Sequence, residues 1–203
     1  MSWLRKAALL IAAAAIVQGI RKENYPSIRD DPQECWKYGE KVPTNLHICD
    51  PDKIVSSSQA KELNDLAAEI STSTSADSQC PCSQYVCLVE KLGGRRRGYP
   101  VTLVLLKDME EGGQELVAKA GNYSVYLRNE KGYGSMARCQ DDTLVLLSFS
   151  DKVVYILTGN MAMAKISNDE VMTIIDDSRS SFNPEIAEGL KFILQRIRNE
   201  LME

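Results

Sequence analysis

Val101-Thr102-Leu103-Val104-Leu105-Leu106 is a near-continuous apolar run rich in strand-forming residues, interrupted only by Thr102. A strand with one face in water alternates apolar and polar residues. A run without alternation belongs in a strand covered on both faces. Two further runs, Thr143–Phe149 and Lys152–Thr158, have the same character, and Ser150-Asp151 reads as a two-residue hairpin link between them. Tyr85-Val86-Cys87-Leu88-Val89 is a fourth, shorter strand.

Helical spacing lies between the runs. A helix from about Ser58, capped by Ser56, Ser57 or Ser58, places Leu63, Leu66, Ala67 and Ile70 on one face. A second, from about Gly113 to Asn129, turns Leu116, Val117, Ala120 and Leu127 inward. A third opens at Ser167 or Asn168 and runs to about Ser178. Asn183-Pro184-Glu185 offers a cap, a proline for the first helical position and an acid suited to the helix dipole. The stripe Ile186, Leu190, Ile193, Leu194, Ile197 and Leu201 follows. Strands alternating with helices predict an α/β three-layer sandwich, with a central, mostly β sheet of about four strands and helices on both faces.

Arg5 and Lys6 precede Ala7–Val17, an apolar stretch of 11 residues, and then Val17-Gln18-Gly19. A bilayer span needs roughly 20 apolar residues. The segment therefore reads as a signal peptide over residues 1–19, followed by an irregular arm over 20–48 and an α/β domain over 49–203. The expected location is secreted and extracellular, with no stable membrane insertion. Six cysteines agree with export: Cys35, Cys49, Cys80, Cys82, Cys87 and Cys139. Six allow 15 pairings. Cys80-Pro81-Cys82 is too short and stiff to close easily on itself. The pairing adopted joins Cys35 to Cys49, and the other four staple the 80–87 segment and the approach to Cys139. Asn122-Tyr123-Ser124 is the one glycosylation sequon.

A net charge of −4 and a pI near 5.2 exclude a broad basic surface, so nucleic acid is not an expected partner. The single basic run, Arg95-Arg96-Arg97 between Gly94 and Gly98, reads as a solvated turn. His47 is the only histidine, which leaves no zinc spacing and no histidine-based nucleophile set. The suggestive groups are carboxylates. Asp141 and Asp142 stand just before a buried strand, Asp50 and Asp52 stand in a turn, and Asp151 stands in the hairpin. Acids at strand ends suit a hard cation such as calcium. They equally suit turns, where aspartate accepts from backbone N–H groups.

Taken together, Tyr25-Pro26, Cys35, Cys49-Asp50-Pro51-Asp52, Cys80-Pro81-Cys82, Gly98-Tyr99-Pro100-Val101, Cys139-Gln140-Asp141-Asp142 and Val154–Gly159 resemble the extracellular domain of the modulator of levamisole receptor family and its wider TPM-domain superfamily. The resemblance implies a three-layer α/β domain. It also implies an extracellular protein partner, a levamisole-sensitive, ligand-gated acetylcholine receptor of nematode synapses. The family's receptor modulator carries a membrane-spanning helix, and this chain shows none after its leader. The superfamily implies a second reading, an acid phosphatase or calcium-binding protein using Asp141 and Asp142, with Asp50 a looser candidate. Calcium is the cofactor that reading implies.

Overall fold

The computed structural model describes residues 19–74, 98–110, 115–134 and 140–203. The leader, the 85–89 strand, the Arg95–Arg97 turn, and Cys80, Cys82, Cys87 and Cys139 lie outside them.

The arm carries a 3-10 turn, Lys22–Asn24, and one helical turn, α1 (Pro32–Cys35). The sheet then begins with β1 (Ile48–Cys49), leads through α2 (Ser57–Ser73) to β2 (Val101–Leu106), and through α3 (Leu116–Glu130) to β3 (Thr143–Ser148). β4 (Val153–Thr158) turns straight back, and α4 (Asn160–Met163), α5 (Asn168–Ser178) and α6 (Ile186–Met202) complete the chain. The spatial order is β1-β2-β3-β4, with the first three parallel and β4 antiparallel to β3. Ile48, Leu103, Val145 and Ile156 stand in one row across it.

Alternation along these strands divides the core into two layers. Ile48, Val101, Leu103, Leu105, Val145, Leu147 and Ile156 pack against α2, α5 and α6. Cys49, Val104, Leu106, Leu144 and Leu146 pack against α3 and the arm. Both faces of β2 and β3 are therefore dry, which is why their sequences do not alternate. Both crossovers advance in the same direction across the sheet, yet α2 and α3 lie on opposite faces. The two βαβ units thus have opposite hand, and one departs from the right-handed preference.

Local chemistry fixes two of the helix starts. The Ser56 hydroxyl accepts from Gln59 N at 3.3 Å, and Gln59 Oε1 accepts from Ser56 N at 2.8 Å. Ser167 and Glu170 form the same reciprocal box on α5. The last helix departs from expectation. It begins at Ile186, and Asn183 and Pro184 sit in the preceding turn. The Phe182 ring lies where a Gly189 Cβ would stand, so Phe182 tucks against the helix and holds the 181–184 turn outside it.

Three further expectations change. Leu116 and Val117 are 42% and 56% exposed, because Ala120, Tyr123, Ser124 and Leu127 make the buried side of α3. The hairpin spends four residues, 149–152, with Ser148 paired to Val153. Phe149 N donates to Leu106 O and so continues toward β2, and Lys152 turns the chain at φ 54°. Finally, the boundary at 48/49 falls inside β1, and the arm is part of the core. Tyr25 is fully buried, and its hydroxyl sits 2.8 Å from Cys49 O and 2.9 Å from Leu105 O. It serves the carbonyls at the point where the two-residue β1 stops pairing.

Candidate functional site

The acids highlighted by the sequence divide between opposite ends of the sheet. Asp50 follows β1, whose Cys49 is level with Leu146 of β3, whereas Asp142 precedes β3. That places them roughly 16 Å apart along the strands and about 10 Å across. Asp50, Asp141 and Asp142 therefore do not form one set. Among the described residues no group of three or more His, Cys, Asp or Glu is placed to hold a metal ion.

Asp50 is fully buried. Its Oδ1 accepts from Ile54 N at 2.8 Å, and its Oδ2 accepts from Val55 N at 3.1 Å and the Tyr38 hydroxyl at 2.5 Å. Burial raises its pKa, against the lowering by those donors. The carboxylate is thus spent on its own turn, where Lys53 stands at φ 54°. Nearby, Asp52 accepts from Lys107 N at 2.9 Å, and Asp151 accepts from Met109 N and Ser148 Oγ. These acids pin loops to the carboxyl ends of β2 and β3. His47 is packed at 8% exposure, with Nδ1 3.0 Å from Val101 O.

The opposite end is built differently. Gln140, Asp141 and Asp142 lead into β3, Arg128 comes from the last turn of α3, and Gly159 follows β4. Asp142, 2% exposed, receives Arg128 Nε at 2.5 Å and Nη2 at 3.0 Å, a two-pronged pair in which both carboxylate oxygens are engaged. Asp142, and more weakly Asp141, hold the Arg128 guanidinium above its ordinary pKa. Asp141 is itself 7% exposed, so two acids meet one cation in a mostly dry site.

The backbone here is tightly fitted. Gln140 adopts φ 49°, a region that costs a side-chain-bearing residue. Its carbonyl accepts from Met161 N at 3.0 Å, fixing the start of α4. Gly159 N donates to Asp142 O at 2.8 Å, and a Cβ on Gly159 would lie 2.2 Å from Gln140 O and 2.7 Å from Arg128 Nη2. Only glycine allows these three segments to meet.

Arg128 is the site residue that sequence reasoning missed. The usable signal was a demand: an acid pair entering a buried strand needs a counter-charge. Arg128 stands one residue past the buried Leu127, so α3 delivers it to the sheet. The calcium reading meets the same fact. Asp142 is paired with Arg128, Asp50 is engaged by its own turn, and the two lie at opposite ends of the sheet, so these carboxylates do not fit a shared cation.

Comparison with known proteins adds three findings. The chain is similar in fold to the solution structure of the N-terminal domain of a protein from P. gingivalis, with TM-score 0.58 and 16% identity over 90% of this chain and 91% of that one. No curated protein matches it. The family model described as modulator of levamisole receptor-1 matches residues 20–152, which span the arm, β1 to β3 and the Arg128–Asp142 pair.

Proposed function

Since the chain belongs to the modulator of levamisole receptor-1 family, we propose that it is a secreted, non-enzymatic module that binds levamisole-sensitive acetylcholine receptor channels outside the cell and alters their response. The family match carries this reading. The apolar leader and the Cys35–Cys49 disulfide support the compartment, since disulfides persist where the surroundings are oxidising. No helix of the described residues is long and apolar enough to cross a membrane. Binding is preferred to phosphatase chemistry because Asp142 is already paired with Arg128 in the folded chain. The test is capture: receptor subunits co-expressed with the tagged protein are expected in its eluate, and their absence under conditions that retain known subunit pairs argues against the proposal.

Export also gives the Asn122 sequon a role. Asn122 is exposed on α3, two residues before a serine that is fully buried. Among the described residues the Ser124 hydroxyl has no hydrogen-bond partner. A buried, unpaired hydroxyl costs about 1–3 kcal/mol. Alanine would serve the fold at least as well, whereas a glycan at Asn122 requires the hydroxyl. Protein from secreting eukaryotic cells is expected to lose mass on enzymatic deglycosylation. Ser124→Ala is expected to abolish that loss without lowering the melting temperature. An unchanged mass after treatment removes the glycan from the account.

A further inference from the structure

Among the described residues the last strand of the sheet has no neighbour on its outer side, and its hydrogen-bonding phase identifies which groups face outward. Thr143 N donates to Pro100 O at 2.9 Å and Phe149 N to Leu106 O at 3.0 Å, so the odd residues of β3 address β2. Its even residues therefore address β4, where they pair with Val153, Tyr155 and Leu157. Gly159 N donating to Asp142 O keeps the same phase. The N–H and C=O groups of Val154, Ile156 and Thr158 consequently point away from the sheet, and none has a hydrogen-bond partner among the described residues.

Sheet edges in proteins that stay apart are usually blunted by lysine, proline or a bulge. Val153–Thr158 contains no lysine or proline, and its register against β3 is unbroken. The flanks are mixed, with half-buried Lys119 on α3 and exposed Asp169 and Asp176 on α5 standing beside exposed apolar residues. On the α3 side, Gly121 lies against Tyr155, and its neighbours along that flank, Val117 and Val125, are 56% and 45% exposed. On the other face Met172 of α5 is 58% exposed.

The geometry points to a second copy of this chain as the occupant, paired antiparallel along β4 about a twofold axis at Ile156. In that register Ile156 faces Ile156 of the second copy, and Val154 faces Thr158. Every outward N–H and C=O of both copies then finds a partner, so the edge is complementary to itself. A twofold perpendicular to the sheet keeps the layers in register. It sets α3 beside α3 and α5 beside α5, and brings the exposed valines and methionine together. The chain has net charge −4, but Val153–Thr158 itself carries no charged side chain, so the paired strands place no like charges opposite one another. The inference does not depend on the receptor reading.

The test is the solution mass of the chain without its leader, residues 20–203, by light scattering, with two variants. Val154→Pro removes an outward N–H that the β3 ladder does not use. Val117→Lys with Val125→Lys charges only exposed positions. The wild type is expected at twice the chain mass. Each variant is expected to weaken that association at least about tenfold while keeping the circular dichroism spectrum. A wild type that stays single up to about 1 mM overturns the proposal. So do variants that dimerise as tightly as wild type. A single chain whose β4 amides become protected only when a receptor ectodomain is added also overturns it, and assigns the edge to that partner.

Discussion

Arg128→Met is expected to lower folding stability by about 3–5 kcal/mol, because it strands Asp142 as a buried charge without its counter-ion. Asp142 is 2% exposed and the Arg128 side chain 17%, so water replaces little of what is lost. Surface pairs such as Lys61–Asp65, both more than 60% exposed, give a contrast of about 0–1 kcal/mol. At roughly 2–4 °C per kcal/mol for a chain of this size, the loss lowers the melting temperature by about 6–20 °C. The double change Arg128→Met with Asp142→Leu removes both charges and is expected to recover much of the loss, since a buried pair replaced by apolar groups is often near neutral. Urea denaturation of the wild type and these two variants decides it. A single variant costing less than about 1 kcal/mol contradicts the buried-pair account, as does a double variant less stable than the single.

Replacing both bridging cysteines, Cys35→Ala with Cys49→Ala, is expected to cost about 3 kcal/mol. The bond closes a loop with a sequence separation of 14, and a loop near that length removes about that much freedom from the unfolded chain. The position adds to the effect. Both sulfurs are fully buried beneath Tyr25 and Tyr133, and the Tyr133 hydroxyl sits 3.4 Å from Cys35 Sγ. The arm also supplies Tyr25, which completes the hydrogen bonding at the end of β1, so its release uncovers both carbonyls. The readout is again denaturation, with proteolysis of the arm as a second measure. Stability within about 1 kcal/mol of wild type indicates that packing alone holds the arm.

What the sequence made legible follows the strength of each local signal. β2 and β3 are long apolar runs, and their complete burial followed from the absence of alternation. α2 and α5 carry capping boxes at Ser56 and Ser167, so their starts were legible to within two residues. The three-layer architecture followed from the alternation of these elements. β1 was not legible, because two residues, Ile48 and Cys49, carry no periodicity and gain their place only by pairing with Leu103 and Val104. The first turn of α3 was misread because apolar type was taken for burial at Leu116 and Val117, while Tyr123 and Ser124 hold the buried side. Pro184 suggested a helix start that Phe182, packed on Gly189, displaces. The opposite hands of the two crossovers have no sequence signature at all.

The candidate site was half legible. Asp142 stood out by its place before β3, but its partner lies fourteen residues earlier on another element. Asp50 stood out as well, and its turn function was one of the two readings open to it. Their separation at opposite sheet ends follows from strand direction, which the local pattern of a parallel sheet does not encode.

The central functional claim is the proposal that this protein acts on a levamisole-sensitive channel. Agonist-evoked currents, recorded with and without the co-expressed protein, test it most directly, with the Cys35→Ala, Cys49→Ala variant as the destabilised control. The account predicts a changed amplitude or time course with the wild type and a smaller change with the variant. Currents identical in all three conditions, with the protein present at the cell surface, contradict it.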